Sequence, residues 1–164
     1  MRFEISQRFT HPAAAVDEAY TDPALYPTLV GLPNLGDMRV LSHERSGDTA
    51  KLRVHCKFVR EFSPAVAAAI DPSKLSWVQE SQHDLAAGTT TFRFVPDNYA
   101  DRFSASGGTR IVSNGDGSLR TLSGDLKVRA PLVGGRVEKA IVEGLEEYLH
   151  AEAALVDRFL DGGA

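Results

Sequence analysis

The C-terminal stretch of the chain constrains the fold most, because it carries one long amphipathic pattern. At about 100° per residue, its apolar residues gather on one side of a helix predicted over 134–161, roughly 40 Å long. Those residues are Val137, Ile141, Gly144, Leu145, Tyr148, Leu155, Val156 and Phe159. Their arc approaches half the circumference, whereas a helix on a flat sheet needs a stripe of roughly 100°. The pattern therefore predicts a helix that is held in a concave sheet.

Period-two alternation dominates the rest of the chain and predicts antiparallel strands. In residues 2–9 it places Phe3, Ile5 and Phe9 on one buried face. Three hairpins follow, predicted over 37–45 with 49–60, 74–84 with 88–96, and 103–113 with 118–130. The Asn-Gly-Asp-Gly turn of the last hairpin is a strong signal, because these residues tolerate positive φ.

Two helices are predicted between the first strand and the first hairpin. The first, over residues 13–20, follows a proline that suits a first helical turn. Asp22 is suited to cap the second, with Pro23 at its first helical position, and Pro27 makes this helix irregular. Its apolar face comprises Tyr26, Leu29, Val30 and Leu32. Antiparallel hairpins with helices at both ends define an α+β fold.

Length and composition exclude several kinds of protein. The chain has 164 residues, so we expect 1–164 to form a single domain with its own core. A net charge of −4 argues against a nucleic-acid partner, since phosphates require a basic surface. Cys56 is the single cysteine and cannot form an intramolecular disulfide. No apolar run approaches the ~20 residues of a membrane span, and no signal peptide is recognisable. We expect a cytoplasmic protein without stable membrane insertion, and leave its oligomeric state open.

Three motifs carry a resemblance to a known superfamily. They are F-x-x-P-x-x-x-V-x-x-A at 9–19, D-P-x-x-Y at 22–26, and PLVGGRVE at 131–138, which leads into the last helix. With this order of elements the chain resembles the START-like (SRPBCC) superfamily, and most of all the bacterial family DUF2505, a domain of unknown function. The resemblance covers essentially the whole chain. It implies the helix-grip fold, in which a curved antiparallel sheet surrounds a long C-terminal helix and two short helices lie near the N-terminus.

The same superfamily includes lipid carriers, hormone receptors, polyketide cyclases and co-chaperones, so the resemblance implies no single chemistry. The sequence also contains no recognisable catalytic motif that would indicate a reaction. The five histidines lack metal-ligand spacing to one another or to Cys56. His55 and Cys56 are strand neighbours that point to opposite faces, so they cannot form a nucleophile–base pair. Gly134–Gly135 precedes a helix but lacks the Lys-Ser/Thr of a phosphate-binding loop. We predict no metal and no cofactor.

Inward-facing residues of the sheet and the last helix form the candidate site for a hydrophobic small-molecule ligand. The predicted ligand-binding residues are Tyr26, Val54, Cys56, Phe58, Trp77, Gln79, Phe92, Phe94, Leu122, Leu126, Ile141, Leu145 and Tyr148. Residues that line a cavity and residues that fill a core have the same composition, so the sequence leaves open whether the interior is hollow. The hydroxyl group of Tyr148 is suited equally to a ligand and to a strand carbonyl.

Strand parity counted from Trp77 places Gln79, Ser81 and His83 on the inward face. Two interpretations stay open for these residues. They are polar groups of an apolar pocket, or else a bulge breaks the parity or they lie beyond the cavity near the strand end. For His83 we favour the second.

Two carboxylates interrupt the apolar arc of the last helix, and they lie roughly 21 Å apart along its axis. They cannot act as one acid–base pair. We expect Glu138 to offset the helix dipole and Glu152 to reach solvent, with a partner inside the cavity mouth as the alternative for Glu152. The apolar segment PAVAAAI at 64–70 is either a lid at the cavity mouth or a short helix that plugs one end of the sheet.

Three functions fit these observations. The first is non-catalytic binding or transport of a lipid or polyketide-like molecule in a cavity between sheet and helix. The second is a cyclase or dehydratase that acts on polyketides with Gln79, His83 and Tyr148. The third is a protein-interaction module with a filled core, in which Trp77→Ala costs ~3–5 kcal/mol and alters no ligand.

Overall fold

Seven strands form one antiparallel sheet in the computed structural model, which describes residues 1–36 and 38–163. The strands are β1 (Arg2–Phe9), β2 (Arg39–Ser46), β3 (Thr49–Lys57), β4 (Ser76–Asp84), β5 (Thr89–Pro96), β6 (Phe103–Asn114) and β7 (Gly117–Val128). The helices are α1 (Ala13–Thr21), α2 (Pro64–Ala67) and α3 (Gly134–Leu160), with single 3-10 turns at Tyr26–Thr28 and Pro72–Lys74. The order across the sheet is β1-β7-β6-β5-β4-β3-β2, so the first strand of the chain pairs with the last.

The strands form where the sequence alternates with period two. The bounds of β1 agree with the prediction, and the three predicted hairpins are β2–β3, β4–β5 and β6–β7. The turn between β6 and β7 passes through Gly115 at a φ of 61°, which glycine adopts without steric cost. Asp37, the first residue of the first predicted hairpin, lies outside the described residues.

The second N-terminal helix is shorter than predicted. Asp22 accepts a hydrogen bond from the Ala24 N–H at 2.9 Å, but the segment then forms only the 3-10 turn Tyr26–Thr28. Pro27 lies inside this turn and has no N–H to donate, which opposes an α-helix. Val30, on the apolar face of the predicted helix, is 59% exposed. The prediction of an irregular α-helix reaching Leu32 is wrong.

Helix α3 lies in the sheet as its wide apolar arc predicts. It packs on β1 and β7, with α1 beside it. Gly144 allows close approach, because a Cβ atom at this position would lie 3.0 Å from the ring of Phe58. The side chain of Asn34 donates to the Gly144 carbonyl at 3.1 Å and to Glu147 Oε2 at 2.8 Å. Among the described residues, no helix is both long and apolar enough to cross a membrane.

Glu138 has a different role from the one expected. It lies beyond the first turn of α3, is buried, and accepts a hydrogen bond from the Val128 N–H at 2.9 Å. Its Oε2 atom is 3.2 Å from the ammonium group of Met1. Burial acts to raise the pKa of Glu138, but these contacts outweigh it and the pKa is lowered. The expectation of dipole compensation is wrong, because Glu138 joins the helix to β7.

The apolar segment at 64–70 contributes to the core. It contains α2, and its residues Val66 and Ile70 are 5% and 1% exposed. Both belong to the same hydrophobic core as Trp77 and Val137. No residue of the segment lines the cavity described below, so its packing supports the interpretation as a plug.

Candidate functional site

A cavity of about 70 Å³ lies between the sheet and α3. Side chains from β1, β3, β4, β5, β6 and β7 line it, together with α1 and the loop that precedes β2. Pockets for drug-sized ligands have volumes of roughly 300–1,000 Å³, so this cavity is narrow. The interior is therefore neither completely filled nor widely hollow.

Ten of the thirteen predicted site residues line this cavity. They are Tyr26, Val54, Cys56, Trp77, Gln79, Phe92, Phe94, Leu122, Leu145 and Tyr148. Phe58, Leu126 and Ile141 do not line it and are at most 2% exposed in the surrounding core. Phe58 lies where Gly144 brings α3 close to the sheet, which leaves no gap at that point. Contact of the ten residues with a ligand stays a prediction.

One end of the cavity is aromatic. The rings of Trp77 and Phe94 stack with centroids 4.8 Å apart and an angle of 17° between their planes. The ring centroids of Phe92 and Phe103 lie 5.7 Å and 6.4 Å from the ring centroid of Phe94. The indole Nε1 of Trp77 is buried and has no hydrogen-bond partner in the described structure. This end presents a flat apolar surface, and the protein interior beside it holds one unpaired donor.

The inward face of β4 leads from this stack to a polar group. Gln79, Ser81 and His83 all line the cavity, so no bulge breaks the parity that begins at Trp77. His83 is 5% exposed, and the interpretation that it lies beyond the cavity is wrong.

The imidazole of His83 is enclosed by hydroxyl groups. Its Nε2 atom is 3.0 Å from Ser81 Oγ, and its Nδ1 atom is 3.0 Å from Thr90 Oγ1. Burial, assisted by the positive charge of Arg120, lowers the pKa of His83 to about 4. At neutral pH this histidine is uncharged and has one ring nitrogen that can accept a proton.

Glu152 lies inside the protein and not in solvent as expected. It is 5% exposed and lines the cavity. Three buried side chains donate to its carboxylate: Tyr20 at 2.7 Å, Gln7 at 2.9 Å and Tyr148 at 3.1 Å. The alternative of a partner inside the cavity agrees with this geometry. The Tyr148 hydroxyl therefore donates to a carboxylate, not to a strand carbonyl.

Arg120 completes the polar end of the cavity. It is half-buried on β7, directly opposite Gln7 of β1. Its Nη1 atom donates to Gln7 Oε1 at 2.8 Å, and its guanidinium group lies 4.0 Å from the ring centroid of Tyr20. The first contact orients the Gln7 amide, so that its NH₂ group faces Glu152 and the Leu149 carbonyl. The second is a cation–π interaction that supports the guanidinium.

A wider depression on the outer face of β2–β5 is a weaker candidate site. It is open to solvent and lined by charged residues that already pair with one another. Glu80 lies between Arg53 at 3.4 Å and Arg93 at 2.7 Å. Exposed pairs of this kind are common on protein surfaces, so the enclosed cavity is the candidate functional site.

Comparison with known proteins agrees with the resemblance seen in the sequence. The model of a family described as "Protein of unknown function (DUF2505)" matches residues 4–160. The chain belongs to the DUF2505 family. Among curated proteins, none matches this DUF2505 chain in sequence.

Several solved structures share the fold of this DUF2505 protein. TTHA0849 from Thermus thermophilus is similar with a TM-score of 0.68 and 16% identity, covering 99% of this chain and 98% of that one. The Zhui aromatase/cyclase from Streptomyces sp. R1128 has a TM-score of 0.68 and 17% identity, covering 100% and 99%. Norcoclaurine synthase from Thalictrum flavum has a TM-score of 0.61 and 15% identity, covering 98% and 86%. At these identities the likeness shows the fold, which is the predicted helix-grip fold.

Sequence reasoning missed several residues of the DUF2505 cavity that simple parity identifies. Gln7 shares the inward face of β1 with Phe3, Ile5 and Phe9, and Arg120 shares the inward face of β7 with Leu122. A polar residue in an apolar period-two series was the available signal for both. Tyr20 had no such signal, because the position of α1 against α3 is decided by tertiary packing.

Cys56 lines the cavity but is a poor nucleophile. It is 2% exposed, and burial raises the pKa of its thiol to about 12. Buried in this way, it packs as a small apolar residue. Among residues 1–36 and 38–163, no three His, Cys, Asp or Glu side chains are grouped as metal ligands.

Proposed function

We propose that this DUF2505 protein binds or carries a hydrophobic small molecule, of lipid or polyketide-like character, in the cavity of one START-like domain and does not transform it. The observation that carries the proposal is the composition of the cavity wall. An aromatic stack and aliphatic side chains form most of it, and a few polar groups converge at one end. Small-molecule sites commonly combine a largely apolar wall with a few placed polar groups.

The narrow volume indicates that a ligand larger than a few atoms must displace side chains. Met38 lines the cavity, is half-buried, and its Sδ atom is 3.6 Å from the Tyr148 hydroxyl. Methionine is unbranched and adapts its shape at low cost, so we propose that Met38 moves first.

The names of several proteins with the same fold support the proposal that a small molecule occupies this cavity. These proteins include the Zhui aromatase/cyclase, norcoclaurine synthase, and the di-domain ARO/CYC BexL from the BE-7585A biosynthetic pathway, at 13–17% identity. Their names refer to enzymes of small-molecule chemistry. Identity this low does not transfer their reactions to this chain.

Trp77 provides a direct test, because it is the single tryptophan of the chain and lines the cavity. Titration with fatty acids, a sterol-like compound and naphthalene derivatives is expected to change its fluorescence saturably. Native mass spectrometry of the same samples is expected to show one ligand per chain. Absence of both signals across all three classes of compound contradicts the proposal.

A matched pair of valine variants separates the cavity from the surface. Val54 lines the cavity and is 2% exposed, whereas Val112 lies on β6 and is 45% exposed. Val54→Phe is expected to fill the narrow space and abolish ligand binding, and Val112→Phe to leave it unchanged. Circular dichroism checks that both variants fold. Equal loss of binding in both variants contradicts a site in the cavity.

A second candidate function is catalysis, and the position of His83 favours it. An uncharged, buried imidazole beside two hydroxyl groups can accept a proton from a bound substrate. Tyr148 and Gln79 line the same cavity. A cyclase or dehydratase of this kind is expected to turn over a poly-β-ketone substrate, and His83→Gln is expected to abolish turnover. Binding without any product supports the non-catalytic proposal instead.

A further inference from the structure

The cavity differs in chemistry between its two ends. His83, Thr90 and Thr109 are register partners that form one row across β4, β5 and β6. Arg120 is the inward-facing residue of β7 that lies next to this row, on the side away from Trp77. The stack that contains Trp77 lies at the other end of β4, roughly 20 Å from His83 along the strand. A molecule that occupies the length of the cavity therefore has a flat apolar contact at one end and a cation at the other.

The cation is largely unpaired. A guanidinium has five N–H donors, and the structure shows one of those of Arg120 in use, to Gln7 Oε1. Within residues 1–36 and 38–163, no carboxylate lies within 4.0 Å of Arg120. Its contact with the Tyr20 ring holds the group in place without using a donor. Arg120 is thus positioned and still has donors for an acceptor.

Two acidic groups lie near Arg120, and neither forms an ion pair with it. Asp17 is close enough for the charge of Arg120 to oppose the burial that raises its pKa, but the two make no contact within 4.0 Å. Glu152 lies in the hydrogen-bond network of Gln7.

Both oxygens of Glu152 already accept hydrogen bonds, Oε2 from Gln7 and Tyr20 and Oε1 from Tyr148. The Gln7 amide lies between the carboxylate and the guanidinium, with its oxygen toward Arg120 and its nitrogen toward Glu152. The Gln7 amide therefore bridges Arg120 and Glu152, which make no direct contact with each other.

The remaining polar groups are compatible with an anion. His83 is uncharged, so Arg120 is the cation of the cavity wall described here. At the aromatic end, the buried Nε1–H of Trp77 has no hydrogen-bond partner in the described structure. Arginine binds carboxylates particularly well, because its planar fork matches two oxygens.

We propose that the ligand is an amphiphile with a carboxylate end, which binds Arg120 while the apolar body of the ligand lies along the cavity wall toward the Trp77–Phe94 stack. This inference rests on the proposed function and adds the chemical class of the ligand. It makes Arg120 a specificity-determining residue, whereas the apolar wall supplies affinity for any ligand of suitable shape.

Two pairs of compounds that differ only at the polar end test the inference: 2-naphthoate with 2-naphthylmethanol, and octanoate with 1-octanol. Isothermal titration calorimetry at pH 7.5 is expected to give a Kd about tenfold or more lower for each carboxylate, as a charge-assisted hydrogen bond implies. In Arg120→Met this preference is expected to fall to about twofold or less, with the Kd of the alcohols nearly unchanged. Arg120→Lys keeps the charge without the fork and is expected to lie between the two.

Arg110→Met is the matched control, since Arg110 is exposed on the outer face of β6. It is expected to keep the full preference for the carboxylate. Equal affinity for acid and alcohol in the wild-type protein, or an unchanged preference in Arg120→Met, overturns the inference while the proposed function stands. No binding of any of the four compounds counts against the proposed function as well.

A measurement on the wild-type protein keeps the inference testable if Arg120→Met does not fold. The Nε–Hε signal of Arg120 in a ¹H–¹⁵N NMR spectrum is expected to shift on addition of 2-naphthoate and to stay in place with 2-naphthylmethanol. The Arg110 signal is the internal reference. A signal that responds to neither compound, or equally to both, overturns the assignment of Arg120.

Discussion

Glu152 is a carboxylate inside the core, and its three donors explain why it is tolerated there. Replacement by leucine removes the carboxylate that accepts from Gln7, Tyr20 and Tyr148, and only Gln7 keeps a backbone acceptor, the Leu149 carbonyl. We expect Glu152→Leu to lower the free energy of unfolding by about 3–5 kcal/mol, because buried donors without partners are costly.

Urea denaturation measures this effect, and Glu146→Leu is the control. Glu146 lies on the exposed face of the same helix, so its replacement is expected to change stability by about 0.5 kcal/mol or less. A difference of less than about 1 kcal/mol between the two variants contradicts a structural role for the Glu152 contacts.

His83 makes stability depend on pH. Burial lowers its pKa to about 4 from an ordinary value of 6.5, so between these values the unfolded chain binds a proton that the folded protein does not. The contribution is fully present above pH 6.5 and is lost as the pH falls toward 4. On a change from pH 7 to 4.5, His83→Gln is expected to lose less stability than the wild-type protein, by about 2 kcal/mol in urea denaturation.

Asp17 is expected to act in the opposite direction. Burial raises the pKa of this carboxyl group to about 6, although Arg120 opposes the shift, and its ordinary value is 3.8. The folded protein therefore binds the extra proton, and this contribution grows as the pH falls from 6 toward 4. Asp17→Asn is expected to lose more stability than the wild-type protein over the same change. Equal pH dependence of the Asp17 and His83 variants contradicts these assignments.

At the scale of elements, the approach of α3 to the sheet depends on one glycine. Gly144→Ala places a methyl group 3.0 Å from the Phe58 ring, which is 1% exposed and surrounded by the core. Alanine favours a helix over glycine by about 1 kcal/mol, but overpacking costs roughly 1–3 kcal/mol. We expect a net loss of thermal stability for Gly144→Ala and none for Gly135→Ala, where no atom lies within 4 Å of the added methyl group. Calorimetry of both variants measures the difference, and equal Tm values contradict the close packing.

The strands and the long helix could be predicted because their patterns are local and strong. Most of the strands follow a period-two series, and α3 follows a series close to 3.6. The failure near Val30 arose because the apolar spacing was expected to continue an irregular helix past Pro27, whereas only the 3-10 turn Tyr26–Thr28 forms around this proline, which has no N–H to donate. The strands and α3, which follow from side-chain periodicity, were therefore predicted better than the Tyr26–Thr28 segment, whose form depends on which backbone N–H groups can donate.

The site was harder to predict than the fold. An inward residue borders the cavity only where two packed elements stay apart. The sequence pattern of neither element specifies the distance between them. Phe58 and Leu145 both face inward, yet only Leu145 reaches the cavity. The polar network joins Gln7, Tyr20 and Glu152 from distant parts of the chain, so no local spacing reveals it.

For the whole molecule, ligand binding is expected to raise thermal stability. A ligand at about 100 times its Kd stabilises the folded state by roughly 2.7 kcal/mol, or about 5–10 °C in Tm for a protein of this size. Differential scanning calorimetry with 2-naphthoate is expected to show such a shift in the wild-type protein and a smaller one in Arg120→Met at the same concentration. Identical shifts in both proteins contradict recognition of the carboxylate.

The pairing of β1 with β7 has a consequence for biosynthesis. β1 leaves the ribosome before its partner residues 118–125, which are made more than a hundred residues later, and α3 follows them. Contacts between such distant segments form slowly and late. The pocket therefore forms only once β7 and α3 have been synthesised, so we expect a ligand to bind only after α3 has left the ribosome.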